Sequence, residues 1–316
     1  MIPRYVLAVV VFAALPYFFR SDASIAILTT MLIAALFALS YNLLLGEGGM
    51  ISFGHSVYLG LGGYVAIHAI AASAQPGWWL PVPLIPLIGA AAGFFFGVLF
   101  GYVCTRHTGL AFPMITLGIV ELVGTAALMF DAFFGSDLGV SGDRTKGPAL
   151  FGFSLQTRVD VYYCVLAWAV LSAVLIRFYI RTPLGRLTNA VRDNPERCAF
   201  IGFNPQRVRY LTFIVSATFA GLAGALAAVN VERMTPDSIT MQASGMVLLM
   251  TYIGGINHFW GPVLGAGVLQ LANSVLSDYT TLWLLYVGLF FIAIVLWAPG
   301  GIAGLLASGW RRARGR

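Results

Sequence analysis

From residue 24 to residue 45 the chain carries no charged side chain, and uncharged runs of similar length recur along it. A hydrocarbon layer about 30 Å thick is crossed by roughly 20 apolar helical residues. Inside that layer every backbone N–H and C=O must be paired within the protein, which a helix does within its own segment. Composition agrees, with 59% hydrophobic and 9% charged residues, against about 25% charged in soluble domains. Runs near 3–19, 24–45, 56–74, 82–104, 109–134, 161–180, 207–231, 241–256, 261–276 and 281–298 predict an all-α polytopic transmembrane helical bundle of about ten spans. The first run follows Arg4 and has the look of a signal peptide, but no small-residue cleavage site follows Pro16 to Arg20, so it counts as a span. Residues 1–309 then form one transmembrane domain and 310–316 a short basic tail.

Basic residues resist translocation, so their distribution orients the bundle. With both termini cytoplasmic, Arg4, Arg106, the arginines from Arg177 to Arg209 and the tail arginines Arg311, Arg312, Arg314 and Arg316 all lie inside. Arg20, Arg144, Lys146, Arg158 and Arg233 stay outside, among Asp22, Asp137, Asp143, Asp160, Glu232, Asp237 and Asp278.

The cytoplasmic loop 181–209 has its own punctuation. Thr182-Pro183, Asn194-Pro195 and Asn204-Pro205 each pair an N-cap residue with proline at the first helical position. They predict a short helix to about Arg192, a second one stopped by Gly202, and the start of the next span. Leu187, Val191, Cys198 and Ile201 supply the apolar positions of this pair. One reading is that the arginines rest on anionic headgroups, as they do beside any inner-membrane span. The helical punctuation favours the other, a docking surface for a partner protein.

Enzyme chemistry is absent from the pattern. The single lysine, Lys146, follows Thr145 rather than glycine, so no phosphate-cradling G-x-x-x-x-G-K-[ST] loop exists. Gly139-Val140-Ser141-Gly142 matches a serine-protease G-x-S-G, but His258 falls on the opposite side and no base is placed. His55, His68, His107 and His258 lack metal spacing. Cys104, Cys164 and Cys198 are scattered singles. The tail from Trp310 to Arg316 is too short for nucleic-acid binding and reads as a lipid-surface anchor. We expect no catalytic, cofactor or metal residues in the chain.

Glu196 to Gly202 reads E-R-C-A-F-I-G, which resembles the E-A-A-x-x-x-G core that permeases of ABC importers present to their ATPase subunits, with Arg197 and Cys198 in place of two alanines. "YNLLLGEGGMISFGHSVYLGLGGY" (41–64) resembles the N-L-x-x-G-x-x-G-x-[LI]-S-x-G-H signature of branched-chain amino acid permeases. "VSATFAGLAGALAA" (215–228), "GGINHFWGPVLGA" (254–266) and "APGGIAGLL" (298–306) resemble later segments of that family, in the family's order. Span count and loop position match the LivM-type subunit rather than the LivH-type.

The resemblance implies a bacterial inner-membrane permease working by alternating access with a LivH-type permease, two ATPase subunits that bind ATP and Mg, and a periplasmic substrate-binding protein. It implies an ATPase-coupling loop in which Gly185, Arg186, Arg192, Asn194, Glu196, Ala199 and Gly202 take part. The outer segments 135–160 and 232–240 would receive the binding protein.

Three features bear on a substrate route. GEGGMISFGH (46–55) is either a re-entrant or broken element or an ordinary cytoplasmic turn, since irregular backbone at membrane depth must be buried or line a cavity. Glu121, a carboxylate within the fifth run, should face the bundle interior or a cavity, because exposing it to lipid costs roughly 2.5–3.5 kcal/mol. With Asn42, Ser52 and His55 it forms the candidate translocation set; for Asn42 an interhelical hydrogen bond is the alternative. Gly89, Gly93, Gly97, Gly101, Gly221, Gly224 and Ala228 read as packing stripes, and the second GG stretch at 254–262 hints at an internal repeat. The rival reading is a stand-alone secondary transporter or channel with Glu121 as coupling group.

Overall fold

A computed structural model of the chain describes every residue except Met1, Arg20, Pro76, 151–153, Thr280, Thr281, Pro299 and 314–316. The last arginines of the tail therefore lie outside the described residues. The helices are α1 (Ile2–Phe18), α2 (Asp22–Asn42, prolonged by a π-turn over Leu43–Glu47), α3 (Ser56–Ser73), α4 (Pro86–Cys104) and α5 (Ala111–Met129). There follow α6 (Asp131–Phe134), α7 (Arg158–Arg181), α8 (Pro183–Asp193), α9 (Pro195–Phe200) and α10 (Pro205–Val231). Last come α11 (Met241–Gly254), α12 (Gly261–Tyr279), α13 (Trp283–Trp297) and α14 (Gly301–Ala313). Two short strands, β1 (Val140–Ser141) and β2 (Arg233–Met234), pair antiparallel.

The chain is an all-α membrane bundle. Among the described residues six segments are long and apolar enough to span: Asp22–Glu47, Ser56–Ser73, Val82–Cys104, Ala111–Met129, Arg158–Arg181 and Pro205–Val231. Leu284–Trp297 and Gly301–Ala307, bent by 45°, make a seventh if counted as one span. The sequence runs counted about ten because apolar residues continue through short helices. Helices α1, α11 and α13 have 17, 14 and 15 residues, fewer than the roughly 20 a full crossing takes. Helix α12 is longer but carries Gln270 and Asn273.

Helix α10 packs most extensively against α4 and α3, while α2 packs against α12, α7 and α11. The glycine stripes explain the first group. A β-carbon on Gly221 would collide with the backbone of Gly89 and Gly93, and one on Gly62 with the backbone of Gly221, so three helices touch main chain to main chain. Gly254, Gly261 and Gly265 do the same for α11 and α12. The two GG stretches are in contact, since Gly46 sits between Asn42 and the Ile256 carbonyl.

Opposite the arginine-rich loop, 135–160 and 232–240 are tied into one clasp. Val140 pairs with Met234 and Ser141 with Arg233. Arg144, only 8% exposed, donates Nε to the Leu155 carbonyl at 3.1 Å. Its NH1 donates to Val229 and Asn230 carbonyls at 3.0 and 3.1 Å and pairs with Glu232 at 3.4 Å. These are the last carbonyls of α10, left without intrahelical partners, so a cation is well placed there. The Asp143 carboxyl is held below the usual range by hydrogen bonds from the Thr145 side chain and N–H, with Lys146 at 3.3 Å adding to it. At the start of α7, Thr157 and Asp160 form a reciprocal capping box.

Candidate functional site

The three cap-and-proline starts in the arginine-rich loop form as the sequence implies. The Thr182 side chain accepts from Gly185 N–H at 3.2 Å, Asn194 from Arg197 N–H at 2.9 Å, and Asn204 from Gln206 and Arg207 N–H at 3.0 and 3.2 Å. Gly202, with φ +93°, stops α9. Gly185 is buried at the elbow between α7 and α8, where a β-carbon would meet the Tyr179 carbonyl and Ile180. Buried hydroxyls brace that elbow, with Thr212 Oγ1 lying 2.9 Å from Tyr179 OH and 2.8 Å from Thr188 Oγ1.

The knuckle made by α8 and α9 has its own small core of Val191, Cys198 and Val208, flanked by Leu184 and Leu187. Ile201, expected in this core, is 65% exposed instead. Gly202 ends the helix just beyond it and turns the chain away, so Val208 from α10 fills the place. Phe200 and Phe203 are also outward, at 90% and 45% exposure. Arg186, Glu196 and Ala199 are exposed beside them. Among the described residues the guanidinium groups of Arg186, Arg197 and Arg207 have no hydrogen bond or ion pair. An apolar tip ringed by cations that find no partner among the described residues has the make-up common at protein interfaces.

Its other face grips the bundle. Asn189 donates to Glu47 Oε2 at 2.6 Å, and Arg192, whose Nε lies 3.0 Å from Asp193, reaches the Gly46 carbonyl through NH1. Gly49 packs against the stem of Arg192 with no room for a β-carbon. The knuckle thus holds the π-turn that ends α2. Glu47 and Asn189 were not singled out from the sequence; the available signal was that Asn189 precedes Arg192 by three residues and so shares its helical face.

Residues 48–55 form an irregular connection, mostly buried, with Gly49 and Ile51 exposed. Side chains from α2, α5 and α11 pair the backbone here and at the first residue of α3. Tyr41 OH accepts from Ser52 N–H at 3.2 Å and donates to the Ser52 carbonyl at 3.0 Å. Phe53 N–H donates to Thr116 Oγ1 at 3.1 Å, and Ser56 N–H to Ser244 Oγ at 3.0 Å. Ser56 Oγ donates to the Thr240 carbonyl at 2.8 Å, bringing the first turns of α3 and α11 together. These are the pairings that irregular backbone requires away from water.

Of the four candidate route residues, Ser52 and His55 come together around Tyr41, whose OH bonds the Ser52 backbone and whose ring centroid lies 5.2 Å from that of His55. Ser52 and His55 are fully buried. His55 Nε2 lies 3.0 Å from Ser40 Oγ, and its ring stacks on Phe37. Ser40 Oγ also donates to the Phe37 carbonyl at 2.7 Å, so the hydrogen of the first bond comes from His55. Asn42 is buried against Gly46, its Oδ1 unpaired among the described residues, and the interhelical bond weighed for it is not made there by that atom. Glu121 departs from expectation. It lies on the exposed face of α5 with Met114, Gly118 and Thr125, and has no partner among the described residues. The expectation of an inward carboxylate assumed that lipid covers the outside of a single chain; a face that another subunit or water covers carries no such penalty.

Behind the knuckle lies a cavity of about 360 Å³, lined among others by Gly49, Met50, His107, Phe112, Arg192 and Arg209. It joins the 48–51 connection, the loop before α5 and the knuckle itself. No group of three or more metal-ligating side chains occurs among the described residues.

Residues 24–298 match the family model described as branched-chain amino acid transport system / permease component. The chain is 28% identical to the LivM permease protein of the high-affinity branched-chain amino acid transport system of Salmonella typhimurium, over 94% of this chain and 74% of that one. Identity to the Escherichia coli LivM protein is 27% over the same shares. BraD of Pseudomonas aeruginosa is 28% identical over 85% of this chain and 91% of its own. No solved structure is a significant match. The LivM proteins thus align over more of this chain than BraD does.

Proposed function

Because the chain belongs to the family of permease components of branched-chain amino acid transport systems, we propose that it is the LivM-type membrane subunit of an ATP-driven importer. Its cargo is a branched-chain amino acid or a related small organic solute, moved by alternating access. The chain is non-catalytic; ATP and Mg bind two partner ATPase subunits, which seat on the knuckle. One observation carries this reading: the knuckle grips Gly46 and Glu47 on one side through Arg192 and Asn189 and presents Phe200, Ile201, Phe203 and free guanidinium groups on the other. A surface that is rigidly attached inward and unsatisfied outward transmits force.

A second, LivH-type permease covers the exposed face of α5, which supplies an environment for Glu121 other than lipid. The periplasmic binding protein docks on the clasp, and the termini lie in the cytoplasm of a bacterial inner membrane, as the basic residues orient them. The stand-alone transporter reading relied on an inward Glu121, which the exposed position removes.

Vesicles holding this chain, its partner permease and the ATPases should take up leucine only with ATP and binding protein, whereas this chain alone under an ion gradient should not. Arg192→Ala should cut ATP-driven uptake about tenfold, the equivalent of one charged hydrogen bond, while the complex still assembles. Ion-driven uptake by the isolated chain, or full uptake by the assembled variant, defeats the reading.

A further inference from the structure

A second cavity lies on the lateral surface, away from the knuckle's docking tip and from the clasp. It is a groove of about 390 Å³ between α1, α2, α7 and α12, walled by residues such as Leu32, Leu36, Leu39, Val170, Val174 and Val263. Its residues on α7 run from Leu166 to Arg181, about 22 Å along a helix axis. That is longer than one leaflet of a hydrocarbon core about 30 Å thick.

The groove is not uniformly apolar. Arg177 and Arg181 line one end, and no acidic residue lines it anywhere. Arg177 lies over the Phe259 ring at 5.1 Å, and its Nε is buried without a hydrogen-bond partner among the described residues. Arg181 is exposed and makes no side-chain hydrogen bond or ion pair among the described residues. Two guanidinium groups one turn apart at the mouth of an apolar trough call for a ligand with an anionic head and a long apolar tail. Arg181 also directly precedes Thr182, the cap of α8, so this end is the arginine-rich side that basic-residue counting assigns to the cytoplasm.

We propose that the groove binds an anionic phospholipid of the inner leaflet, with its phosphate between Arg177 and Arg181 and one acyl chain along α7. Charge separates this occupant from a protein helix, since a partner helix would have to bring its own acid to satisfy Arg177, whereas anionic lipid supplies one from the surrounding bilayer. The bound headgroup would sit against the elbow from which the knuckle departs. This inference does not depend on what the importer carries.

The test is lipid retention by the purified complex. After delipidation and exposure to equal phosphatidylglycerol and phosphatidylcholine, native mass spectrometry of the wild-type complex should show one phosphatidylglycerol retained per copy of this chain. The double variant Arg177→Gln, Arg181→Gln should weaken that retention about tenfold or more, as expected for loss of charge-assisted bonds. Val174→Trp, which fills the trough and leaves both arginines in place, should do the same and decides the matter if the double variant fails to assemble. Inorganic phosphate should not displace the lipid, because the acyl chain contributes to binding. Equal retention in wild type and variants overturns the proposal. So does displacement by phosphate alone, or efficient crosslinking of the Val174→Cys variant to the second permease.

Discussion

The clasp and the knuckle are both built around arginine, and they treat it in opposite ways. At the clasp, Arg144 is buried and spends its donors on Leu155, Val229 and Asn230 carbonyls and on Glu232, all within the chain. At the knuckle, Arg192 reaches the Gly46 carbonyl, and Arg186, Arg197 and Arg207 leave their guanidinium groups unpaired among the described residues. A cation whose hydrogen bonds are all internal is a fastener; one whose donors point away from the chain awaits something else. The difference separates an end whose cation is spent within the chain from an end that leaves cations over for contacts outside it.

Removing the fastener should have the largest effect. Arg144→Ala leaves the Leu155, Val229 and Asn230 carbonyls without the buried guanidinium that pairs them, and hydrogen bonds to a charged group are worth about 1.5–3 kcal/mol each. A marked drop in the thermal midpoint of the detergent-solubilised protein checks this. An unchanged midpoint would dissolve the contrast between the two ends. The outward aromatic comes next. Phe200→Asp should weaken ATPase co-purification by about 2 kcal/mol, roughly 30-fold, as for an aromatic anchor of an interface, with no change in the thermal midpoint of the isolated chain. A shifted midpoint would mean that Phe200 packs internally. Smallest is Glu47→Gln, which keeps an acceptor for Asn189 but removes the charge. Uptake should fall only a few-fold, by about 0.5–1 kcal/mol, and a loss as large as that of Arg192→Ala would shift the weight of the grip from Arg192 to Glu47.

What the sequence disclosed follows the range of the interactions involved. Caps act over two or three residues, so Thr182, Asn194 and Asn204 with their prolines announced the knuckle correctly, including its stop at Gly202. Small-residue stripes announced the close packing of α4 on α10, because close helix approach has few chemical solutions, whereas Gly62 of α3, which joins them, was not singled out. Pairings across the chain were silent. Asn189 and Glu47 are 142 residues apart and Arg144 and Glu232 are 88 apart, and nothing local in either residue names its partner. Ile201 misled because periodicity was extended past a helix that glycine had already ended. Glu121 misled because a single chain was treated as the whole solvent-facing object.

The π-turn over Leu43–Glu47 gives the grip on α2 a geometric consequence. Such a turn carries one residue more than α geometry needs, a slack link wound into an otherwise taut rod. Drawing that link out into a regular α turn would advance the chain beyond it by one step, about 1.5 Å along the axis and 100° around it. Ser52 and His55 lie downstream of the link, and the two residues Arg192 and Asn189 hold, Gly46 and Glu47, are the end of it. A small tug at the surface would thus arrive in the interior as a swivel.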